Sequence, residues 1–257
     1  KGIYGYTGTA RTTPFASTVT DATNARKVLH QQLAPRTDRR GVLSYDAEAN
    51  ALALSPFSDA EKVGSNGVKI EGEIGRKYGI DWYADDAIPT HTTGTAGTGG
   101  ATLAANAAVG ASTISIFAAS TGSKQVNVGD VFTIAGDTQT YVAKATVSGI
   151  ASATAGTISI NPPIKVAAVS TTAITFKDDH AVNLAFHRDA FAFANRPLVS
   201  NTTDMALGSR IMSMTDPQTG ISLRLEVSRQ YKQVTWELDI LWGAKLVRPE
   251  LATRIAG

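Results

Sequence analysis

Aspartate and histidine side chains near position 180 are the first candidates for chemistry in this sequence. Asp178, Asp179 and His180 are consecutive, and His187 and Asp189 follow a few positions later. Carboxylates and imidazoles bind zinc, and they also act as general acids and bases in enzymes. The two histidines are seven positions apart, however, and no third ligand has the spacing that would place it on the same face. The pattern favours a charged turn at a domain junction over a metal site or an acid–base pair.

A second acidic group could supply the pair of carboxylates that glycoside hydrolysis requires. Asp81, Asp85 and Asp86 lie close together, but Trp82 and Tyr83 are interleaved with them. Because aromatic residues are enriched in strands, these aspartates are interpreted as the polar end of a strand.

Two glycine-containing segments could bind phosphate or calcium only if further residues accompanied them. Gly94–Gly100 lacks the following Lys-Ser or Lys-Thr and the strand–helix frame of a phosphate-binding loop. Gly136 and Asp137 would need a row of carboxylates to hold calcium, and residues 91–176 contain only two aspartates. Neither segment is predicted to bind a ligand.

Arginines near position 38 could contact phosphates. Asp38 lies among Arg36, Arg39 and Arg40, and this mixture favours ion pairing at the surface or with a neighbouring subunit over a DNA contact. No catalytic, cofactor-binding or metal-binding residue is predicted, and we do not expect the protein to be an enzyme.

The composition narrows the class of protein. The chain has no cysteine, so it has no disulfide framework and no thiolate chemistry. A net charge of +2 over 257 residues gives no support for general nucleic-acid binding through a basic face. No apolar run approaches the roughly 20 residues of a transmembrane helix, and no signal-peptide pattern is visible, so we expect neither.

Charged residues divide the chain into three segments. Residues 1–90 contain 11 Lys/Arg and 11 Asp/Glu, residues 177–257 contain 10 and 9, and the middle contains three lysines and two aspartates. Such a shift in composition indicates a separate unit, and the Gly/Thr-rich run that opens it is typical of a linker. The predicted domains are residues 1–91, 92–176 and 177–257.

Short strand patterns separated by turn residues fill the middle segment. The predicted strands are residues 112–117, 131–134, 140–143, 157–160 and 173–176. Several short strands with turns between them predict a small antiparallel barrel or sandwich.

Helical and strand patterns alternate in the first segment. Residues 21–33 place alanine, valine and leucine on one apolar face, which predicts a helix that Thr20 or Asp21 can cap. The other predicted elements are a helix at 46–54 that is capped by Asp46 and strands at 41–45 and 80–83. This alternation predicts an α+β layer.

Two stretches near the end alternate with a period of two. Apolar residues occupy the odd positions of Ile221–Val227 and the even positions of Val234–Gly243, so each stretch is predicted to be a strand with one apolar face. The side chains expected in the structural core are Trp236, Leu238, Ile240 and Trp242. The charged residues on the other face are predicted to meet water or a neighbour; they are Arg224, Glu226, Glu237 and Asp239.

Several segments resemble the major capsid proteins of tailed phages, and most closely the coat family of short-tailed Salmonella-type phages. They are Leu33–Arg40, Glu71–Tyr83, Ile88–His91, Asn183–Phe191 and Leu241–Leu251. In that family an inserted β domain begins just after a segment similar to Ile88–His91. The resemblance spans residues 18–91 and 178–257.

This resemblance implies a Hong Kong 97-type capsid fold of the α+β class, with A and P domains and an inserted, antiparallel, all-β barrel. The first and third predicted domains would be the capsid body. The family's N-terminal arm, extended loop and spine helix are not visible in the sequence, and they are expected upstream of it.

The function implied is a major capsid protein that assembles into the icosahedral shell around the double-stranded DNA of a tailed phage. Implied partners are other copies of the chain in hexamers and pentamers, scaffolding and portal proteins, packaged DNA without sequence specificity, and a decoration protein; no membrane is implied. The location would be the virion, with assembly in the bacterial cytoplasm. Residues expected at subunit interfaces are Arg36, Arg39, Arg40, Glu71, Glu73, Arg76, Asp85 and Asp86.

A binding module from a different class of protein is the alternative. An extracellular adhesin or carbohydrate-binding protein could also carry a Thr/Ala/Gly-rich β domain. That alternative accounts for the middle segment but not for the layer predicted on either side of it.

Overall fold

The computed structural model of the protein describes residues 1–58, 72, 74–198 and 210–257. In this part of the chain 44% of the residues lie in strands and 15% in helices. The described residues form two compact units, the first being Lys1–Ala190 with Arg248–Gly257 and the second Phe191–Val247.

Strands outnumber helices along the described chain. The α-helices in the described ranges are α1 (Thr20–Gln31), α2 (Tyr45–Ala53) and α3 (Ser55–Ser58). The strands, in chain order, are β1 (Gly5–Gly8), β2 (Arg39–Leu43), β3 (Gly75–Lys77), β4 (Ile80–Ala84), β5 (Thr90–His91), β6 (Ala101–Leu103), β7 (Thr113–Ala118), β8 (Lys124–Val126), β9 (Val131–Ile134), β10 (Thr140–Ala143), β11 (Val147–Ile150), β12 (Gly156–Asn161), β13 (Ala173–Phe176), β14 (His180–His187), β15 (Phe191–Arg196), β16 (Arg210–Thr215), β17 (Ser222–Gln230), β18 (Gln233–Asp239), β19 (Leu241–Leu246) and β20 (Ala252–Ala256).

Both predicted helices of the first segment are present, but their starts differ from the prediction. Helix α1 buries Ala22, Ala25 and Leu29, as its periodicity predicts. The Asp21 carboxylate accepts a hydrogen bond from the Phe15 N–H (2.9 Å) and does not cap the helix. Helix α2 is capped by Ser44, not by Asp46, because the Ser44 hydroxyl accepts from the Ala47 N–H at 3.4 Å.

A mixed sheet forms the body of the first unit. Its strand order is β1-β20-β14-β2-β4-β3, and β5 pairs with the start of β14. The pairs β1–β20 and β2–β4 are parallel, and the others are antiparallel. Leu43, Ile80 and Ile255 are fully buried, so the apolar residues of three strands contribute to one core.

A closed barrel forms from six strands in the order β10-β12-β7-β6-β13-β9, all of them between Ala101 and Phe176. The sequence Thr-Ile-Ser-Ile occurs in both β7 and β12, and these two strands pair with Ile114 opposite Ile158. The isoleucines of both strands point into the barrel, where Phe132 stacks on Tyr141 with ring centroids 5.9 Å apart. Period-two alternation therefore produces the barrel core.

The predicted α+β class and the Hong Kong 97-type fold are wrong. The described residues are mostly strand, and their three α-helices all lie between Thr20 and Ser58. Helical periodicity is therefore confined to the start of the chain, and from Ile80 onward apolar residues mostly follow the spacing of strands. The predicted boundaries at 91/92 and 176/177 bracket the barrel strands, whereas the compact units divide after Ala190 and before Arg248.

The second unit is built from two antiparallel ladders. Strands β16, β17 and β18 form a three-stranded sheet, and β15 pairs with β19. The turn between β17 and β18 is Tyr231-Lys232, with Lys232 at φ 58°. The predicted strand Val234–Gly243 is divided at Ile240, since β18 pairs with β17 and β19 pairs with β15.

Candidate interaction surface

One face of the sheet β16–β17–β18 carries large apolar side chains in aligned rows. The register places Met212 opposite Leu225 and Leu225 opposite Leu238, and residues directly opposite share a face of the sheet. The same alternation adds Met214, Leu223, Val227 and Trp236. We call this set the apolar face; it is also the face that the sequence predicted to be apolar.

The apolar face is exposed along β16 and β18 and half-buried along the central strand β17. Trp236 is 67% exposed, Leu238 72% and Met214 72%. A contiguous exposed apolar surface on a soluble protein commonly marks a site where protein binds. The apolar face is therefore the strongest candidate for an interaction surface.

The prediction that four side chains near the end of the chain lie in the structural core is wrong for this structure. They are Trp236, Leu238, Ile240 and Trp242, and each is exposed. Alternation correctly identified an apolar face, but a strand pattern does not state which layer covers that face. The Trp242 indole has a neighbour in the second unit, Phe193, with ring centroids 6.3 Å apart.

The opposite face of the same sheet is polar and internally paired. Arg224 contacts Glu226 (2.9 Å) and Asp239 (3.0 Å) through the same guanidinium nitrogen. These side chains lie partly buried, with Arg224 the most protected of the three. Three of the four charged residues predicted to meet water or a neighbour are therefore already matched within one chain.

The three arginines near position 38 do not form one surface. Arg36 and Arg40 are exposed, whereas Arg39 is 2% exposed. The Arg39 guanidinium donates to the carbonyl oxygens of Pro35 (2.6 Å) and Ala34 (2.7 Å). Arg39 therefore anchors the segment that follows α1. Because its guanidinium is buried, it is not available for the predicted contact with a neighbouring subunit.

The other predicted interface residues have separate surroundings. Arg76 forms an exposed ion pair with Asp81 at 3.5 Å, on neighbouring positions of β3 and β4. Asp85 and Asp86 are exposed, and the Asp85 carboxylate accepts from the Ala87 N–H (2.8 Å) in a local turn. Predicted interface residues Glu71 and Glu73 lie outside the described residues.

A buried polar cluster joins the barrel to the sheet of the first unit, and we call it the junction cluster. The Asp130 carboxylate is fully buried and accepts from the backbone N–H groups of Gly94 (3.1 Å) and Asn127 (2.8 Å). His91 Nε2 lies 2.8 Å from the other Asp130 oxygen, Oδ1. The His180 ring packs 5.4 Å from the His91 ring, measured between centroids.

Burial shifts the titration of groups around the junction cluster. It lowers the pKa of His180, with Arg254 and His91 acting in the same direction. It also lowers the pKa of Arg254 to about 10, against the opposing effect of Asp130, and it raises the pKa of Tyr6 to about 12. Burial therefore opposes a positive charge on His180 and a negative charge on Tyr6, whereas Arg254 stays charged at neutral pH.

The acidic and histidine residues named first in the sequence are thus separated. His180 belongs to the junction cluster, and Asp179 accepts from the Thr93 N–H at 2.7 Å. His187, at the far end of β14, lies 3.7 Å from Asp189. In the described ranges no group of three or more His, Asp and Glu side chains is arranged to hold a metal ion.

Sequence reasoning missed His91 and Asp130 because each stands alone in its own segment. Only the strand pairing brings His91 opposite His180, and only barrel closure brings Asp130 to His91. Asp130 is one of only two acidic residues in the low-charge middle segment. A carboxylate that is buried in such a domain needs a hydrogen-bond partner, and this rarity could have marked Asp130 as a candidate.

Two further findings are negative. No helix in the described ranges has the length and apolar character needed to cross a bilayer. Neither a scan against protein-family models nor a search of curated proteins finds a match to this chain.

Proposed function

We propose that the protein is a major capsid protein, which assembles with other copies of itself into the shell around the double-stranded DNA of a tailed phage. The observation that carries this proposal is the exposed apolar face of the sheet β16–β17–β18. The resemblance of the segments between Leu33 and Leu251 to phage coat proteins is its second support, although the fold that this resemblance implied is not the one observed.

The exposure of large side chains on the apolar face favours its coverage by protein. Fully burying one large apolar side chain contributes about 1.5–3 kcal/mol. Trp236 and Leu238 are each more than half exposed, so most of that free energy remains to be gained on association. In a shell the same contact is repeated in every subunit, and modest contacts add up to a stable particle.

The paired charges on the opposite face are consistent with this use of the sheet. Since Arg224 already pairs with Glu226 and Asp239, the polar face gains little from a further charged partner. The apolar face therefore supplies most of the driving force for association. Under this proposal the protein acts in the virion, with scaffolding and portal proteins and packaged DNA as further partners.

The proposal is tested by changing the charge on each face in turn. Leu238→Glu puts a carboxylate in the middle of the apolar face, so we expect it to abolish large assemblies. Glu237→Gln changes the adjacent residue on the polar face, and we expect its assembly to equal that of the wild type. The measurement is analytical ultracentrifugation, with circular dichroism to establish that both variants keep their strand content.

Two results would contradict the proposal. One is that the wild-type protein stays monomeric at all concentrations, as expected of an adhesin or carbohydrate-binding module. The other is that Leu238→Glu assembles as well as Glu237→Gln does.

A further inference from the structure

The junction cluster lies at both places where the chain passes between the sheet and the barrel. The chain leaves the sheet through β5, at His91, and it returns through the first residue of β14, His180. These two residues are direct partners in the β5–β14 pair. The barrel contributes Asp130, which His91 contacts at 2.8 Å. The contacts His180–His91 and His91–Asp130 therefore link both connecting segments to the barrel.

The position of one proton on His180 follows from its neighbours. His180 Nδ1 lies 2.7 Å from the backbone carbonyl oxygen of Asp178. A carbonyl oxygen only accepts, so Nδ1 carries a hydrogen and donates it. In the neutral ring Nε2 is then an unprotonated acceptor. Nε2 is buried, and no hydrogen-bond partner for it is present among the described residues.

A second proton would therefore be unfavourable at His180. It would create a buried N–H donor without an acceptor, on a ring that carries a positive charge. The His180 ring packs against Tyr6 from β1 and His91 from β5, and Asp178 and Asp179 precede it in the chain. Arg254 from β20 acts on it electrostatically, and Asp130, from the turn before β9, contacts His91. The hydrogen bond to the Asp178 carbonyl and the Asp179 carboxylate favour the new charge, whereas burial, the 2%-exposed Arg254 and His91 oppose it.

We propose that the junction cluster is an acid-sensitive latch, which fixes the barrel to the sheet while His180 is neutral and releases it when His180 takes up a second proton. Release exposes the ring to water, so the charged form gains the solvation that the closed form denies it. The proposal concerns the junction alone and does not depend on the proposed shell function.

The direction of the pH effect follows from proton binding. Burial holds the pKa of His180 below its ordinary value of about 6.5 in the closed form. The open form therefore binds protons more readily than the closed form. Closure has its full stability above about pH 6.5, and this stability falls as the pH decreases below that value toward the pKa of the buried ring.

Amide hydrogen exchange of the whole protein tests the latch at the residues that it holds. The Thr93 N–H donates to Asp179, and the Gly94 N–H donates to Asp130, so both amides are protected only in the closed form. We expect their protection, corrected for intrinsic exchange, to fall between about pH 7.5 and about pH 5.5 by at most about tenfold, which is the limit for one proton taken up about one pH unit below 6.5. The Ile160 amide, which donates to Ser112 within the barrel, should keep its protection.

A matched pair of variants separates His180 from other histidines. The side-chain amide of His180→Asn can donate to the Asp178 carbonyl as Nδ1 does, but it does not titrate. We expect its Thr93 and Gly94 amides to be equally protected at both pH values. His187→Asn replaces a second buried histidine of β14, and it should retain the wild-type fall.

The latch is overturned if protection in the wild type does not change with pH, or if His180→Asn shows the same fall as the wild type. If His180→Asn does not fold, NMR titration of the His180 ring in the wild-type protein measures its apparent pKa and tests the latch instead. An apparent pKa below about 6.5 supports the latch, and a value at or above about 6.5 overturns it.

Discussion

Gly41 and Trp82 are neighbours in the parallel pair β2–β4, and the Trp82 indole occupies the space in which any side chain at position 41 would begin. The ring lies against the sheet, is 3% exposed, and donates from Nε1 to the Lys77 carbonyl at 3.2 Å. Phe15 packs on it edge to face, with ring centroids 5.8 Å apart. The absence of a side chain at Gly41 is therefore what allows the core of the first unit to close over this tryptophan.

Gly41→Ala should lower the free energy of unfolding by about 1–3 kcal/mol, because the added methyl group displaces a ring that is packed on all sides. Gly243→Ala is the matched control, since a Cβ there would meet nothing within 4 Å. Its effect should stay within about 0.5 kcal/mol. Urea denaturation measures both variants, and equal midpoints would contradict the packing described for Trp82.

Phe132→Ala should destabilise the barrel by about 3–5 kcal/mol, because the ring is fully buried between Tyr141 and Phe176 and its loss leaves a cavity. Thr175→Ala, at an exposed position on the neighbouring strand β13, is the control. Thermal unfolding followed by circular dichroism distinguishes them. If Phe132→Ala melts with the wild type, the barrel core is wrongly assigned.

Asp130→Ala should destabilise the first unit by about 3–5 kcal/mol, since it leaves the buried His91 ring and the partly buried N–H groups of Gly94 and Asn127 without an acceptor. Asp86→Ala removes an exposed carboxylate and should change stability by less than about 0.5 kcal/mol. Guanidinium denaturation near neutral pH is the measurement. A wild-type midpoint for Asp130→Ala would mean that the carboxylate does not hold these groups.

Local periodicity predicted many elements correctly. The helix at 21–33 corresponds to α1, and the strand at 80–83 corresponds to β4. The five short strands predicted in the middle segment correspond to β7, β9, β10, β12 and β13. These succeeded because the spacing of apolar residues directly reflects which face is buried.

Contacts between residues that are distant in the sequence could not be predicted from local periodicity. Trp236 and Leu238 were assigned to the core because alternation reveals an apolar face but not the layer that covers it. Arg39 was assigned to an interface because its segment resembles the capsid A domain, whereas its guanidinium turns back onto the carbonyls of Ala34 and Pro35. The contact between His91 and Asp130 joins residues that are 39 positions apart.

Arg76→Glu tests the predicted role of surface charge. In one chain Arg76 pairs with Asp81 in an exposed ion pair, so the monomer should lose less than about 1 kcal/mol of stability. Under the shell proposal the same reversal weakens contacts between subunits, and raised salt should weaken them in the wild type in the same direction. Circular dichroism establishes folding, and light scattering measures the assembled fraction. Normal assembly of the reversed-charge variant would identify Arg76 as an ordinary surface residue.

The most direct test of the shell proposal is electron microscopy of the purified wild-type protein, imaged before and after it is concentrated. The proposal predicts closed, uniform, icosahedral shells, in which the apolar face that contains Trp236 and Leu238 is covered by protein. A field of separate monomers at every concentration, with Trp236 and Leu238 still accessible to solvent, would contradict the claim that this chain builds a shell.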